Sequence, residues 1–191
     1  MIKKSIFLFL IILLLTLNGC KLTEEVNGVN VYIKHNKQDY KNASIMVLNF
    51  KEPDYAKAKG NIAGTIFHKE LLKSQKFHMV ELFNNSTWYK YAKTEEEQIK
   101  IAIEKGKENK SDYIFIGNIL EYIFGGLNKT RVKIRARVIE CKTGITLFMC
   151  EYTKTNLGED KSYPMSTKMT DFSTIPQMLL TKMARKIVDK L

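Results

Sequence analysis

The sequence predicts an α/β domain, a mixed α+β sandwich. A mixed sheet of about five strands, closing with a C-terminal β-hairpin, is flanked by three or more helices. Three observations predict it. Short apolar runs of strand length alternate with amphipathic stretches of helix length. Residues 130–141 alternate strictly, with Val132, Ile134, Ala136 and Val138 set against Arg131, Lys133, Arg135 and Arg137. Lys142-Thr143-Gly144 then separates this stretch from a second strand-like run, a three-residue hairpin loop with glycine where a positive φ is wanted.

The elements follow in order. Ser44–Phe50 (SIMVLNF) reads as a buried strand. Tyr55 to Lys73 reads as a helix with Ile62, Ala63, Ile66, Phe67 and Leu71 on one face. Gly60 and Gly64 weaken it by ~1 kcal/mol each if exposed, and would instead allow a close approach if packed. Phe77–Leu82 is a second strand, and Asn84–Lys93 a helical turn around Trp88. Thr94 followed by three glutamates is an N-cap with acids in the first turn, opening a helix to about Asn109 with Ile99, Ala102 and Ile103 inward. Asp112–Phe124 is a long strand broken at Gly117, and Gly125–Asn128 a turn. Thr130–Cys141 and Ile145–Thr155 form the hairpin. If Cys141 faces Ile145, Ala136 faces Cys150 and Arg135 faces Glu151. The two cysteines then lie ~17 Å apart along the ladder, too far for a disulfide, which needs Cα atoms within ~7 Å. A polar loop containing Pro164 leads to Ser173, the expected N-cap of a last helix striped with Ile175, Leu179, Met183 and Ile187.

The start of the chain has a different character. Lys3 and Lys4 precede an apolar run from Ile6 to Leu17, interrupted only by Thr16. That length suits a signal peptide and falls short of the ~20 apolar residues of a membrane span. Leu17-Asn18-Gly19-Cys20 is similar to a lipobox, although Asn18 stands where Ala, Ser or Thr is commoner. Residues 1–19 are therefore expected to be a lipoprotein signal peptide. Cys20 would carry a covalent diacylglycerol and a fatty acyl chain, and no other cofactor is expected. Residues 20–42 read as a lipidated polar tether, with room for a short strand at Val29–Ile33, and residues 43–191 as the domain.

Without residues 1–19 the chain has 172 residues, enough for one domain with a substantial core. It keeps 29 basic and 20 acidic side chains, formally +9. Such a surface attracts anionic lipid or anionic wall polymer. Nucleic acid is argued against by the export signal.

Specific words accompany the element order. Val47–Phe50 reads VLNF, Phe77–Glu81 reads FHMVE, Ser111–Gly117 reads SDYIFIG, and Glu140–Gly144 reads ECKTG. In order and spacing these resemble the domain shared by the curli secretion lipoprotein CsgG, the penicillin-binding-protein activator LpoB and the amino-terminal domain of TolB. The resemblance covers roughly residues 43–191. It implies a small α/β sandwich that binds other proteins and carries no catalytic set. The regions where CsgG-like pore strands would be inserted, Phe83–Thr94 and Asn156–Asp171, are too short and polar for a pair of membrane strands of ~9–11 residues each. A CsgG-like pore is not expected. Residues 21–42 also fall well short of the tether in LpoB.

Candidate sites are few. Gly125-Gly126-Leu127-Asn128-Lys129-Thr130 superficially resembles a phosphate loop but joins two strands rather than a strand and a helix. His35, His68 and His78 are scattered, without metal-ligand spacing, and no Gly-x-Ser-x-Gly elbow occurs. No metal is expected. The basic strand face of Arg131, Lys133, Arg135 and Arg137 is either a binding face for an acidic partner, lipid headgroup or wall polymer, or a solvated sheet face with cross-strand pairs such as Arg135–Glu151. The aromatic segment Trp88-Tyr89-Lys90-Tyr91 is either an interface anchor or core.

The functional expectation is a non-enzymatic, lipid-anchored envelope accessory or assembly protein that binds other envelope proteins. The alternative is a subunit of an oligomeric secretion or flagellar-type complex; an envelope enzyme is a more distant third. Lys21, rather than Asp, after the cysteine is similar to lipoproteins sent to the outer membrane, so the periplasmic face of that membrane is the expected location. The sequence leaves the oligomeric state open.

Overall fold

The computed structural model describes residues 24–26, 29–34, 40–85, 87–125, 129–156 and 174–191. The lipobox residues Leu17, Asn18, Gly19 and Cys20, together with Lys21, His35, Ser173 and the loop around Pro164, lie outside these.

The sandwich is mixed α/β as expected, with a larger sheet. Seven strands run in the order β1-β2-β7-β6-β5-β3-β4. They are β1 (Glu24–Val26), β2 (Val29–Lys34), β3 (Ser44–Leu48), β4 (Met79–Phe83), β5 (Tyr113–Gly125), β6 (Lys129–Glu140) and β7 (Thr146–Asn156). The helices are α1 (Lys59–Ser74), α2 (Glu95–Glu108) and α3 (Thr174–Lys190). β3 pairs parallel with both β4 and β5, and all other pairs are antiparallel. Parallel neighbours need crossover connections; α1 links β3 to β4, and α2 links β4 to β5.

The two helical layers follow from strand alternation. Ile45 and Val47 of β3, Phe115 of β5, and Val132, Ile134, Ala136 and Val138 of β6 share one buried cluster with Ala63, Phe67 and Leu71 of α1 and with Leu179, Met183 and Ile187 of α3. Met46, Leu48, Ile114 and Ile116 point the other way and meet Ala102 of α2 and Trp88. The α2 layer covers only that part of its face. Beyond it, the same face of β6 presents Arg131, Lys133, Arg135 and Arg137.

Three local departures from the expected elements have physical causes. The expected helix from Tyr55 is a 3-10 turn at Asp54–Ala56 followed by α1, with Ala58 between them at φ 65°. Glu52 replaces a side-chain N-cap: its carboxylate accepts from the Ala58 N–H at 2.8 Å and the Gly60 N–H at 2.5 Å. β5 does not break at Gly117. It runs through, and its irregularity falls between Ile119 and Glu121. Gly117 instead leaves the space filled by the Phe50 ring, which packs on Phe67 and Phe115 with centroids 4.9 and 6.0 Å away.

The third departure concerns the polar segment read as a tether. Its short strand exists and is β2, which pairs with β7 from Val29–Tyr152 to Lys34–Phe148. β1 then pairs with β2, Glu24 facing Val31. Val29 and Val31 are core residues, 0% and 7% exposed. The ordered sheet therefore begins ahead of residue 43.

The hairpin matches the expected register through most of its length. Arg135 faces Glu151, Ala136 faces Cys150 and Val138 faces Phe148, with a shift next to the loop. Gly144 has φ 75° as the loop requires. Thr94 caps α2 in a full capping box with Glu97.

Candidate surfaces at the basic strand and the sheet rims

The basic face of β6 is paired off within the molecule. Arg131 Nε meets Glu121 at 2.9 Å, and Lys133 Nζ meets Glu151 at 3.1 Å. Arg135 bridges two carboxylates, donating from Nε and Nη2 to Glu151 at 2.8 and 2.5 Å and from Nη1 to Glu95 at 3.1 Å. Arg137 donates to Glu95 at 2.5 Å. β7 supplies Glu151 through the hairpin register, β5 supplies Glu121, and the first turn of α2 supplies Glu95. Burial alone would raise the Glu151 carboxyl, but hydrogen bonds from Arg135 and Lys133 outweigh it and hold the group below its ordinary value. The arrangement favours the cross-strand reading of these four cations: their charge is directed at neighbouring carboxylates.

Trp88 and Tyr89 separate in role. Trp88 is 6% exposed, and its indole N–H donates to the Asn49 carbonyl at 2.7 Å. It is a core residue fixing the loop after β4 to the end of β3, which selects core over interface anchor for this residue. Tyr89 packs edge-on against it at 5.4 Å and is half-buried. Two other tyrosines are the open aromatics of the described residues at this rim, Tyr55 at 68% and Tyr91 at 82% exposure.

Beneath that rim lies a polar cluster that no local sequence signal marks. Asn49 and Gln98 are each 1% exposed. Gln98 Nε2 donates to Asn118 Oδ1 at 2.8 Å, and Asn49 Nδ2 donates to Asn84 Oδ1 at 3.4 Å. Gln98 Oε1 has no protein partner and borders a void of about 10 Å³ beside Arg135 and Arg137. That is about the smallest space that holds one water. On the far side of the sheet, Glu70 is buried between Lys73 and Arg185, at 2.6 and 3.1 Å.

The opposite rim carries a wider feature. The C-terminal end of α2, the start of β5 and the β6–β7 loop enclose an open depression of about 480 Å³. Lys107, Lys110 and Lys142 stand around it, all exposed. Its carboxylates are hydrogen-bonded to neighbouring residues. Asp112 accepts from the Ser44 N–H and Oγ at 2.8 Å each, and Glu140 accepts from Thr143 Oγ1 at 2.5 Å. Cys141 lies beneath, its thiol pushed up to about 11 mainly by burial. Cys150 is in the core under the hairpin, and both thiols are free.

His68 Nε2 lies 3.3 Å from the Val80 carbonyl, a structural contact, and His78 immediately precedes β4. Among the described residues no group of three or more His, Cys, Asp or Glu is placed to hold a metal ion. No described helix is long and apolar enough to cross a membrane.

No protein-family model matches the chain, and no curated protein sequence matches it. Solved structures do. The PelC dodecamer from Paraburkholderia phytofirmans superposes with a TM-score of 0.60 at 12% identity, over 85% of this chain and 96% of that one. Protein XCC0632 from Xanthomonas campestris gives 0.52 at 9% identity, over 82% and 87%. Lipoprotein GNA1162 from Neisseria meningitidis gives 0.42 at 16% identity, over 74% and 98%. At these identities the first two establish a shared fold, and the chain is similar to PelC and XCC0632 in its whole sandwich architecture.

Proposed function

We propose that this chain is a lipid-anchored envelope protein that acts by binding other envelope proteins, without catalysis of its own. One observation carries the reading. Five carboxylates set among other polar groups are engaged in internal bonds: Glu52 at the start of α1, Glu70 with Lys73 and Arg185, Glu95 and Glu151 with the β6 cations, Asp112 with Ser44. The lipobox-like Leu17–Cys20 supports the anchor, with diacylglycerol and acyl chains on Cys20. The motif order supports kinship with the CsgG, LpoB and TolB-type domain, and Lys21 supports the periplasmic face of the outer membrane. The aromatic rim of Tyr55 and Tyr91 is the surface best suited to a protein partner, since exposed tyrosines supply large contact area at low entropic cost.

The test is a pull-down from detergent-solubilised envelopes, wild type beside Cys20→Ser. Membrane fractionation lost in the variant, with one dominant protein captured by the wild type, is the expected result. Hydrolysis of a peptidoglycan or ester substrate by the purified chain would refute the non-catalytic reading.

A second reading, a subunit of an oligomeric envelope complex, is favoured by the match to PelC, whose structure is a dodecamer. Native mass spectrometry separates the two: a closed ring supports it, and a monomer at high concentration counts against it.

A further inference from the structure

The position of β1 sets how the domain meets its membrane. β1 starts at Glu24, paired with Val31, and runs toward Val26, which faces Val29. β2 returns from Val29 to Lys34, which faces Phe148 just after the β6–β7 loop. β1 therefore runs away from the rim that holds that loop, with its first residue, Glu24, at the end nearer that rim. Only four residue steps separate Glu24 from Cys20, ~14 Å at full extension. Glu24 itself lies about three strand residues, ~10 Å, above the level of Lys34. An anchor on Cys20 thus confines this rim close to the lipid surface, whereas the full polar segment would have allowed ~70 Å of freedom.

The rim has the chemistry for that place. Lys107, Lys110 and Lys142 are exposed there and make no ion pair among the described residues. The same rim also carries two acids, Asp112 and Glu140, hydrogen-bonded to Ser44 and Thr143, so the three lysines outnumber them. Ile145, 50% exposed on the same loop as Lys142, adds an apolar side chain that an interface accommodates. We propose that the rim formed by Lys107, Lys110, Lys142 and Ile145 rests on an anionic phospholipid surface, which leaves the Tyr55–Tyr91 rim facing away from the membrane. The orientation rests on the anchor reading; the lipid affinity of the rim does not.

The experiment has two arms. In the first, the full chain purified from envelopes is placed in nanodiscs of phosphatidylcholine with or without 30 mol% (about a third) phosphatidylglycerol, and its lysines are acetylated by a short reagent pulse. Slower labelling of Lys107, Lys110 and Lys142 in the anionic discs, by roughly fivefold or more, is expected from ~1 kcal/mol of attraction per lysine near such a surface. Lys90 and Lys93 at the far rim should label equally in both. In the second arm, the Cys20→Ser chain is floated with the same vesicles. It should bind the anionic ones, release in high salt, and lose about tenfold or more in affinity on Lys107→Glu/Lys110→Glu/Lys142→Glu. Arg131→Gln, on the internally paired face, should bind as the parent does. Unlipidated Cys20 in the envelope-purified chain would sink the anchor reading alone, leaving the second arm to decide the rim. Equal flotation of the triple variant, equal labelling in both discs, or displacement by inorganic phosphate at millimolar level would overturn the lipid surface as ligand.

Discussion

Gly60 lies against the backbone of Phe50: the Phe50 N–H donates to the Gly60 carbonyl at 3.1 Å, and a Cβ on Gly60 would overlap the Phe50 carbonyl oxygen. Gly64 approaches the same strand end, where a Cβ would stand 2.8 Å from Asn49 Oδ1 and 3.0 Å from the Asn49 Cα. The two glycines set α1 down on the end of β3. In an exposed helix, Gly→Ala would gain ~1 kcal/mol. Here Gly60→Ala must shift backbone against backbone, and overpacking of this kind costs ~1–3 kcal/mol. Urea unfolding should show Gly60→Ala less stable than wild type; a stabilised variant would refute the close approach.

Trp88 is the sole tryptophan of the chain, so its burial can be read by fluorescence. Emission should be blue-shifted in the folded protein and move red on unfolding. Trp88→Phe removes the donor to the Asn49 carbonyl and should cost ~1–3 kcal/mol, the usual penalty of a buried acceptor left unpaired. Emission at the solvent-exposed wavelength in the folded state would return Trp88 to the surface.

Acid stability follows from three carboxylates. Burial would raise Glu70 and Glu151, but Lys73 with Arg185, and Arg135 with Lys133, more than reverse it; hydrogen bonds from Ser44 lower Asp112. A carboxyl held below its unfolded-state pKa stabilises the fold above that unfolded value, and the contribution is lost as pH falls through the folded value. Stability should therefore be level near neutrality and fall as pH drops below about 4.5. Glu151→Gln should lose ~1–3 kcal/mol at pH 7 by leaving Lys133 without its charge partner and Arg135 with Glu95 alone, and its acid limb should be shallower. An unchanged acid limb would contradict the pairing.

Both remaining cysteines should be inert while the protein is folded. Burial, with smaller contributions from neighbouring acids, pushes Cys141 up to about 11, and burial pushes Cys150 up to about 12. At pH 8 neither holds an appreciable thiolate, the reactive form. Iodoacetamide followed by mass spectrometry should modify both in urea and neither in the native chain. A mass about 2 Da below the reduced value, two hydrogen atoms lost on oxidation to a disulfide, would contradict the hairpin register.

The hairpin was legible because two independent signals agree on it. Period-two alternation fixes which face is buried, and a short loop with a positive-φ glycine holds the two strands as a hairpin; Arg135 meets Glu151 as the alternation requires, although the register shifts between Val138 and Ile139 next to the loop. The capping box at Thr94 and the stripes of α1 and α3 are equally local. Glu95 as a partner of Arg135 and Arg137 is not, since it depends on where α2 lands on the sheet. The burial of Asn49 and Gln98 is likewise a tertiary outcome, as amide side chains carry no local mark of being inside. The lysine rim joins residues 107, 110 and 142 from a helix end and a turn, positions whose composition resembles any solvated surface. β2 was readable only as a short possibility, because Asn30, Tyr32 and Lys34 alternate with its valines among polar neighbours.

That strand supplies the last test. If residues 29–34 belong to the sheet, their amides bond to β7 and exchange with the stability of the β6–β7 hairpin; a solvated tether would exchange almost at once. Hydrogen exchange should place Val29 and Val31 with Cys150 and Tyr152, their partners across the ladder. Val29 is fully buried, so Val29→Ala should cost ~2 kcal/mol in transfer and cavity terms. It should also speed exchange along β1, which pairs with no strand other than β2 in the described sheet. Fast exchange throughout 24–34 in the wild type would detach β1 and β2 from the sheet. The distance from Cys20 to the first fixed residue would then lengthen to that of the whole polar segment, and the membrane-facing orientation of the lysine rim would lose its geometric basis while its lipid affinity remained open to the flotation test.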